Sequence, residues 1–215
     1  MKRISIPALF FIVAFASTPV TSFAAPVQWK TEDGGNGHWY ELVMPDSYLD
    51  SFTWTEARTA AEAGGGYLAT VTSQAENDFL GAHFSSSLYD NSDHFGSPPP
   101  FQVKYAWIGL YAPTPNAPFQ WVTGEPFSYS NWALDEPNFP NTPQWQYVHY
   151  WTRNHFGEGA TWEWNNDGNE GFEVLTGQNT HGYIVETVPE PSSLTLLGCA
   201  FGLLMFAMRF KRRPH

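Results

Sequence analysis

Trp132-Ala133-Leu134-Asp135-Glu136-Pro137-Asn138, answered downstream by Trp164-Asn165-Asn166-Asp167, is the part of this 215-residue chain on which the reading of the rest turns. Each half sets short oxygen-bearing side chains beside a proline or a tryptophan, in what reads as a loop. Hard cations such as Ca²⁺ take about six to eight oxygen ligands at about 2.3–2.6 Å. A Glu and an Asn flanking one proline aim two carbonyl-type oxygens at a single point if the bond before the proline is cis. Two loops of this kind make a candidate cation cage, and a caged cation can in turn hold a sugar.

The segments on either side read as a mixed fold. Residues 38–44, His-Trp-Tyr-Glu-Leu-Val-Met, have the aromatic and branched content of a first strand. Thr53-Trp54-Thr55-Glu56 is a capping-box pattern, followed by Trp54, Ala57, Ala60 and Ala61 at helical spacing and stopped by Gly64-Gly65-Gly66. Tyr67–Val71 is a short extended link. Ser73-Gln74-Ala75-Glu76 is a second capping box, opening a helix that includes Phe79 and Leu80 and ends near Phe84. Residues 85–104, rich in Ser, Pro and Gly, read as a surface insertion. Short strands are expected at Tyr105–Leu110, Phe119–Val122, Tyr147–Tyr150, Thr161–Trp164 and Gly182–Glu186, separated by long loops. Two early helices and then short strands make α+β the natural class.

Taken in order, these segments resemble the C-type lectin-like domain. The resemblance is carried by Trp54, Ala57, Gly65, Leu68-Ala69, Ser73, Glu76 and Phe79. It continues through Trp107-Ile108-Gly109-Leu110, Trp121, Gly124 and Asn131-Trp132, then Glu136-Pro137-Asn138, Trp164-Asn165 and Tyr183–Glu186. It runs over most of residues 38–187 and implies two helices flanking two small antiparallel sheets, with the last strand paired to the first and function in a long loop region. In sugar-binding members Glu-Pro-Asn supplies two Ca²⁺ ligands and goes with mannose-type sugars, while a Trp-Asn-Asp strand end supplies two more. The resemblance therefore implies a Ca²⁺ and sugar site at Glu136, Asn138, Asn165 and Asp167.

This chain departs from the family pattern at three points. Asn166 stands where the aspartate belongs, so either Asn166 replaces it or a one-residue insertion lets Asp167 serve. The family's intermediate glutamate has no counterpart, Gln144-Trp145-Gln146 standing there instead, with Asp135 as a partial substitute. The family's cysteines are absent, Ala61 and Val185 taking the positions of one bridge; such a bridge in a small secreted domain contributes about 2–5 kcal/mol. Trp145 is the candidate for stacking on a sugar face, because an aromatic ring offers an apolar plane with a polar edge. Its neighbours Tyr147, Tyr150 and Trp151 alternate, so at least half of the group faces the core.

Composition narrows the function classes. Residues 25–188 hold twenty acidic residues against four basic ones, Lys30, Arg58, Lys104 and Arg153. Such a surface repels phosphates and excludes nucleic acid as a partner. The single cysteine, Cys199, lies in an apolar tail, so the main domain has neither disulfide nor thiol chemistry. All ten tryptophans fall within residues 29–164 and supply apolar burial instead. His38, His83, His94, His149, His155, His181 and His215 are scattered, without a His-x-x-x-His pair, and predict no zinc site. No Gly-x-Ser-x-Gly elbow occurs, no carboxylates stand out as a glycosidase pair, and the expectation is a non-enzymatic protein.

The two ends carry addresses. Met1-Lys2-Arg3, an apolar run and Ser22-Phe23-Ala24 read as a signal peptide cleaved after Ala24. Val188-Pro189-Glu190-Pro191, an apolar stretch over 192–210 and a cluster of Arg209, Lys211, Arg212 and Arg213 resemble the PEP-CTERM sorting signal of Gram-negative bacteria. About 19 residues of helix span about 28 Å, close to the hydrocarbon thickness of a bilayer. The expected organisation is a signal peptide (1–24), a lectin-like domain (25–187) and a sorting tail (188–215). The tail implies an inner-membrane precursor, an exosortase-type processing enzyme, and delivery to the outer surface or an exopolysaccharide matrix. Carbohydrate is the expected partner.

Overall fold

Thr53 starts the first helix as its sequence dictates. Its hydroxyl accepts the Glu56 backbone N–H at 3.1 Å, and the Glu56 carboxylate accepts the Thr53 N–H at 3.0 Å, so two otherwise orphaned donors are satisfied reciprocally. The structure, a computed structural model, describes residues 25–46, 50–88, 102–138, 146–151, 162–171 and 178–189. In chain order the elements are β1 (Val27–Gln28), a 3-10 turn (Thr31–Asp33), β2 (Trp39–Val43), α1 (Trp54–Ala63), β3 (Tyr67–Leu68) and α2 (Gln74–Leu88). They are followed by β4 (Gln102–Tyr111), β5 (Gln120–Trp121), β6 (Tyr147–Trp151), β7 (Glu163–Asp167) and β8 (Gln178–Thr187). The α+β class, the two helices and the pairing of the first long strand with the last are as expected.

The strands join into one connected sheet of order β1-β2-β8-β4-β6-β7, with β3 on β8 and β5 on β4. The sheet is mixed, not a pair of small antiparallel sheets. β8 is the reason. Its ten residues are long enough for the first half to run parallel to β4, from Gln102↔Gln178 to Trp107↔Tyr183. Its second half runs antiparallel to β2, from Val43↔Tyr183 to Trp39↔Thr187, and to β3.

Alternation along the strands sends side chains to two cores. Tyr40, Leu42, Ala106, Ile108, Leu110, Val148, Tyr150, Trp164 and Ile184 meet Leu80, Phe84 and Leu88 of α2 on one face. On the other face Val43, Trp107 and Tyr183 meet Trp54, Ala57 and Ala61 of α1. Each fully buried large side chain contributes on the order of 1.5–3 kcal/mol relative to exposure. Ala61 and Val185, the expected positions of a missing bridge, belong to this second cluster and fill it with apolar contact. Gly66 is forced: an added Cβ would lie 2.6 Å from the Glu186 carbonyl oxygen.

Several boundaries differ from expectation, each for a tertiary reason. α2 continues to Leu88, because Phe84 and Leu88 are both drawn into the core. The expected insertion is thereby trimmed at both ends, since β4 starts at Gln102, and its middle lies outside the described residues. β7 starts at Glu163 and runs to Asp167, so Asn165, Asn166 and Asp167 are strand residues. The second capping box is half formed. Ser73 Oγ accepts the Glu76 N–H at 3.2 Å, but the Glu76 carboxylate turns inward instead of back to Ser73. The signal peptide, the 192–210 segment and the sorting tail beyond Pro189 lie outside the described residues. Among the described residues, no helix is long and apolar enough to cross a membrane.

Candidate functional site

The long loop is fastened to β7 through its backbone. The Ala133 N–H donates to the Trp164 carbonyl at 2.9 Å, and the Trp164 N–H donates to the Asn131 carbonyl at 2.8 Å, forming an isolated parallel bridge between Trp132 and Trp164. The Trp164 ring lies fully buried beneath this bridge, edge-on to Trp121, Tyr129 and Trp132 at 5.6–5.9 Å. The loop then turns through Leu134 and Asp135, closed by the Glu136 N–H on the Ala133 carbonyl at 3.0 Å, with Asp135 at φ 68°. The Glu136–Pro137 bond is cis, the condition set by the sequence.

The three residues of the motif fold onto one another and onto β7. Glu136 Oε2 accepts the Asn138 backbone N–H at 2.9 Å, and Oε1 accepts from Asn138 Nδ2 at 2.8 Å. Asn166 embraces the Asn138 backbone, its Oδ1 accepting the N–H at 3.0 Å and its Nδ2 donating to the carbonyl at 2.7 Å. Of the two ways to place the displaced aspartate, the structure sets Asn166 against the motif. Asn138 Oδ1 is left buried without a hydrogen-bond partner. Asn165 Oδ1, on the adjacent strand residue, is likewise buried and without one.

Asp167 has a different setting. Alternation turns it, with Asn165, to the opposite face of β7 from Asn166. Its Oδ1 accepts the Gly168 N–H at 2.7 Å, and its Oδ2 lies 3.7 Å from Nε2 of the buried His149. The structure thus brings Glu136 and Asn138 together with Asn166, while Asn165 and Asp167 face His149 from the neighbouring strand. Trp145 lies outside the described residues. Tyr147 and Tyr150 are spent in packing, on Trp54 at 4.7 Å and Trp162 at 3.9 Å.

The donors at the motif are all oxygens, one carboxylate with amides, and the Asn138 amide oxygen is buried and unpaired. That chemistry suits a hard cation. The low carboxylate count points to weak binding, because ligand charge is one of the determinants of Ca²⁺ affinity.

A second carboxylate centre has no signature in the sequence. Glu76 and Glu186 are buried on either side of the Tyr40 hydroxyl, which lies 2.5 Å from Glu76 and 3.2 Å from Glu186. Glu76 also accepts from Asn36 and from the Thr72 N–H and hydroxyl. Glu186 pairs with His38 at 2.6 Å and accepts the Thr70 N–H at 2.9 Å. Burial raises the Glu186 pKa above the usual carboxylate value, outweighing the His38 and Thr70 contacts that lower it. Burial, with the two carboxylates beside it, also drives the Tyr40 hydroxyl far above its ordinary value.

Residues 50–170 match the family described as the lectin C-type domain. The secretory phospholipase A2 receptor of Homo sapiens is 31% identical over 91 residues, which make up 42% of this chain and 5% of that protein. C-type mannose receptor 2 of Homo sapiens is 33% identical over 88 residues, 41% of this chain and 5% of that protein. The chain therefore spans only a small part of the length of either receptor. Among solved structures, human lithostathine at 1.3 Å superposes with a TM-score of 0.51 at 19% identity, covering 83% of this chain and 100% of that one. That last likeness is one of fold.

Proposed function

The chain belongs to the C-type lectin domain family, and from that premise we propose that it is an exported, non-catalytic carbohydrate-binding protein whose sugar site is built around Glu136-Pro137-Asn138. The observation that carries the reading is the buried, unpartnered amide oxygen of Asn138, Oδ1, on the side chain whose Nδ2 is held by the Glu136 carboxylate. A buried acceptor without a donor costs on the order of 1–3 kcal/mol, and a cation or a sugar hydroxyl relieves that cost. Glu136 and Asn138 are the side chains that would hold Ca²⁺, with Asn166 fixing the Asn138 backbone. The ion would supply coordination of two sugar hydroxyls, and the same side chains would accept hydrogen bonds from those hydroxyls. The preference for mannose-type sugars rests on the Glu-Pro-Asn order and on the relative named a mannose receptor.

Export rests on the sequence at the two ends. Residues 1–24 supply the leader, and the sorting tail from residue 188 supplies a membrane-held precursor for an exosortase-type enzyme. The surface or exopolysaccharide matrix is then where the domain meets its sugar.

One observation favours a second reading, a protein-binding or structural surface module that has dispensed with the ion. Both Glu136 carboxylate oxygens already accept hydrogen bonds from Asn138, so the loop holds its shape without a cation.

The two readings part in a Ca²⁺ titration of metal-free protein followed by thermal unfolding. A ligand bound to the folded state alone stabilises it by about 2.7 kcal/mol at a hundredfold excess over Kd. Lectin function predicts a Ca²⁺-dependent rise in midpoint that Glu136→Gln abolishes, together with binding on a mannose-rich glycan array. An unchanged midpoint in millimolar Ca²⁺ with no glycan bound leaves the second reading.

A further inference from the structure

Three side chains that the lectin reading does not need converge on the α1 face of the sheet. His149 of β6, Asp167 of β7 and His181 of β8 are each at most 3% exposed, and each offers a ring nitrogen or carboxylate oxygen within 4.8 Å of the others. They are brought together by register. His181 pairs with Tyr105 and Trp107 with His149 across β4, and His149 pairs with Asn165 across to β7, so all lie on one face.

The ring orientations are fixed by a hydrogen bond at one nitrogen of each imidazole. His149 Nδ1 lies 3.0 Å from the Tyr150 carbonyl, which can only accept, so Nδ1 carries the proton and Nε2 the lone pair. That lone pair faces the Asp167 carboxylate at 3.7 Å, with a long 3.4 Å contact from Asn165 Nδ2 beside it. His181 Nδ1 is engaged by Ser51 Oγ at 3.2 Å, and its Nε2 is buried with no partner. One ring nitrogen held by a protein oxygen, with the other left for an ion, is the arrangement by which proteins orient metal-ligating histidines.

The packing holds the imidazoles in place. Trp107 stacks on His181 at 4.6 Å and meets His149 edge-on at 5.4 Å, while Tyr105 touches both rings at 4.7–4.8 Å. The Gly168–Gly171 turn closes over the cluster. Gly171, at φ +75°, sits so near the His181 ring that an added Cβ would fall 2.2 Å from it.

We propose that His149, Asp167 and His181 form a structural site for a borderline divalent transition ion, Zn²⁺ being the best fit to two imidazoles and one carboxylate. Zn²⁺ draws such donors to about 2.0–2.2 Å, so loading contracts the cluster by roughly an ångström. The ion ties β6, β7 and β8 together across β4, in a domain that has no cysteine for a disulfide. It lies on the other face of β7 from Asn166, and it is separate from the Ca²⁺ proposal in ion, ligand type and place.

The test uses the full chain, freed of metal and supplied with Zn²⁺ at micromolar concentration in the presence of millimolar Ca²⁺, which occupies oxygen-only sites. The expected result is one Zn²⁺ per chain, a raised unfolding midpoint, and a loss of affinity of more than about tenfold in His149→Gln and His181→Gln. If those variants fail to fold, Co²⁺ bound to the native chain serves instead, and its X-ray absorption must report two imidazoles with oxygen. The proposal is overturned if the native chain takes up no Zn²⁺, if both variants bind it as tightly as the native chain, or if Co²⁺ shows oxygen ligands alone.

Discussion

Glu76 and Glu136 are both drawn towards the interior beside amide side chains, yet their surroundings are opposite in kind. Around Glu76 and its neighbour Glu186, carboxylate oxygens meet donors from Tyr40, Asn36, Thr72, His38 and Thr70, drawn from both ends of the domain. Around Glu136 the donors come from a residue two positions away, and the amide oxygen of Asn138 is left over. The first centre is closed and joins the first long strand, α2 and the last strand. The second is locally self-consistent and open to a ligand. Polar groups satisfied across the chain belong to the architecture, whereas groups satisfied by their own loop, with acceptors to spare, belong to recognition.

Substitution can break this contrast. Glu76→Ala strands the Tyr40 hydroxyl and the Thr72 N–H and is expected to cost about 3 kcal/mol in urea unfolding. Glu136→Ala in metal-free protein should cost less than about 1 kcal/mol, because the groups it leaves lie at a half-buried loop. Equal losses for the two would erase the distinction.

A smaller effect sharpens it. Since burial raises the folded-state pKa of Glu186, the folded protein binds more protons than the unfolded one above the ordinary carboxylate value of 4.5. The stability contributed by this group is complete below that value and is lost as pH rises through the folded pKa. Glu186→Gln should flatten this slope, read as urea midpoints across the acid range; an unchanged slope would mean that the charge is not confined as the geometry requires.

The smallest effect concerns a purely local feature. Thr53→Ala removes one arm of the α1 capping box and should cost about 1 kcal/mol. The Glu56 carboxyl is held below its ordinary value by the Thr53 N–H and then by the Thr53 hydroxyl. Its contribution is therefore present above pH 4.5 and fades as pH falls through the lowered pKa. A denaturation midpoint for Thr53→Ala that matches the native one would show the cap to be idle.

What the sequence could tell follows the same division between local and distant causes. Thr53-x-x-Glu56 was readable because both partners of the cap sit within one turn. Ser73-x-x-Glu76 was read half correctly, since Tyr40 and Asn36 pull the Glu76 carboxylate away from its own helix. The Glu136-Pro137-Asn138 loop announced itself by composition. Its partner on β7 did not, because two aspartate placements are equivalent until strand alternation separates Asn166 from Asp167. His149 and His181 carry no zinc-binding spacing in the sequence. Only the registers of β6 and β8 against β4 bring them together, and no spacing within a single segment encodes those registers.

The place of β8 bears on how the chain is made. It is the last of the described strands to be synthesised, and it lies between β2 and β4 while also supporting β3. Until residues 178–187 leave the ribosome, β2 and β3 have no sheet to join, and Glu186 is not there to complete the Tyr40 network. Folding dominated by such distant pairings is slow relative to local helix formation. A chain terminated before residue 178 lacks the strand that joins β2 and β3 to β4, β6 and β7.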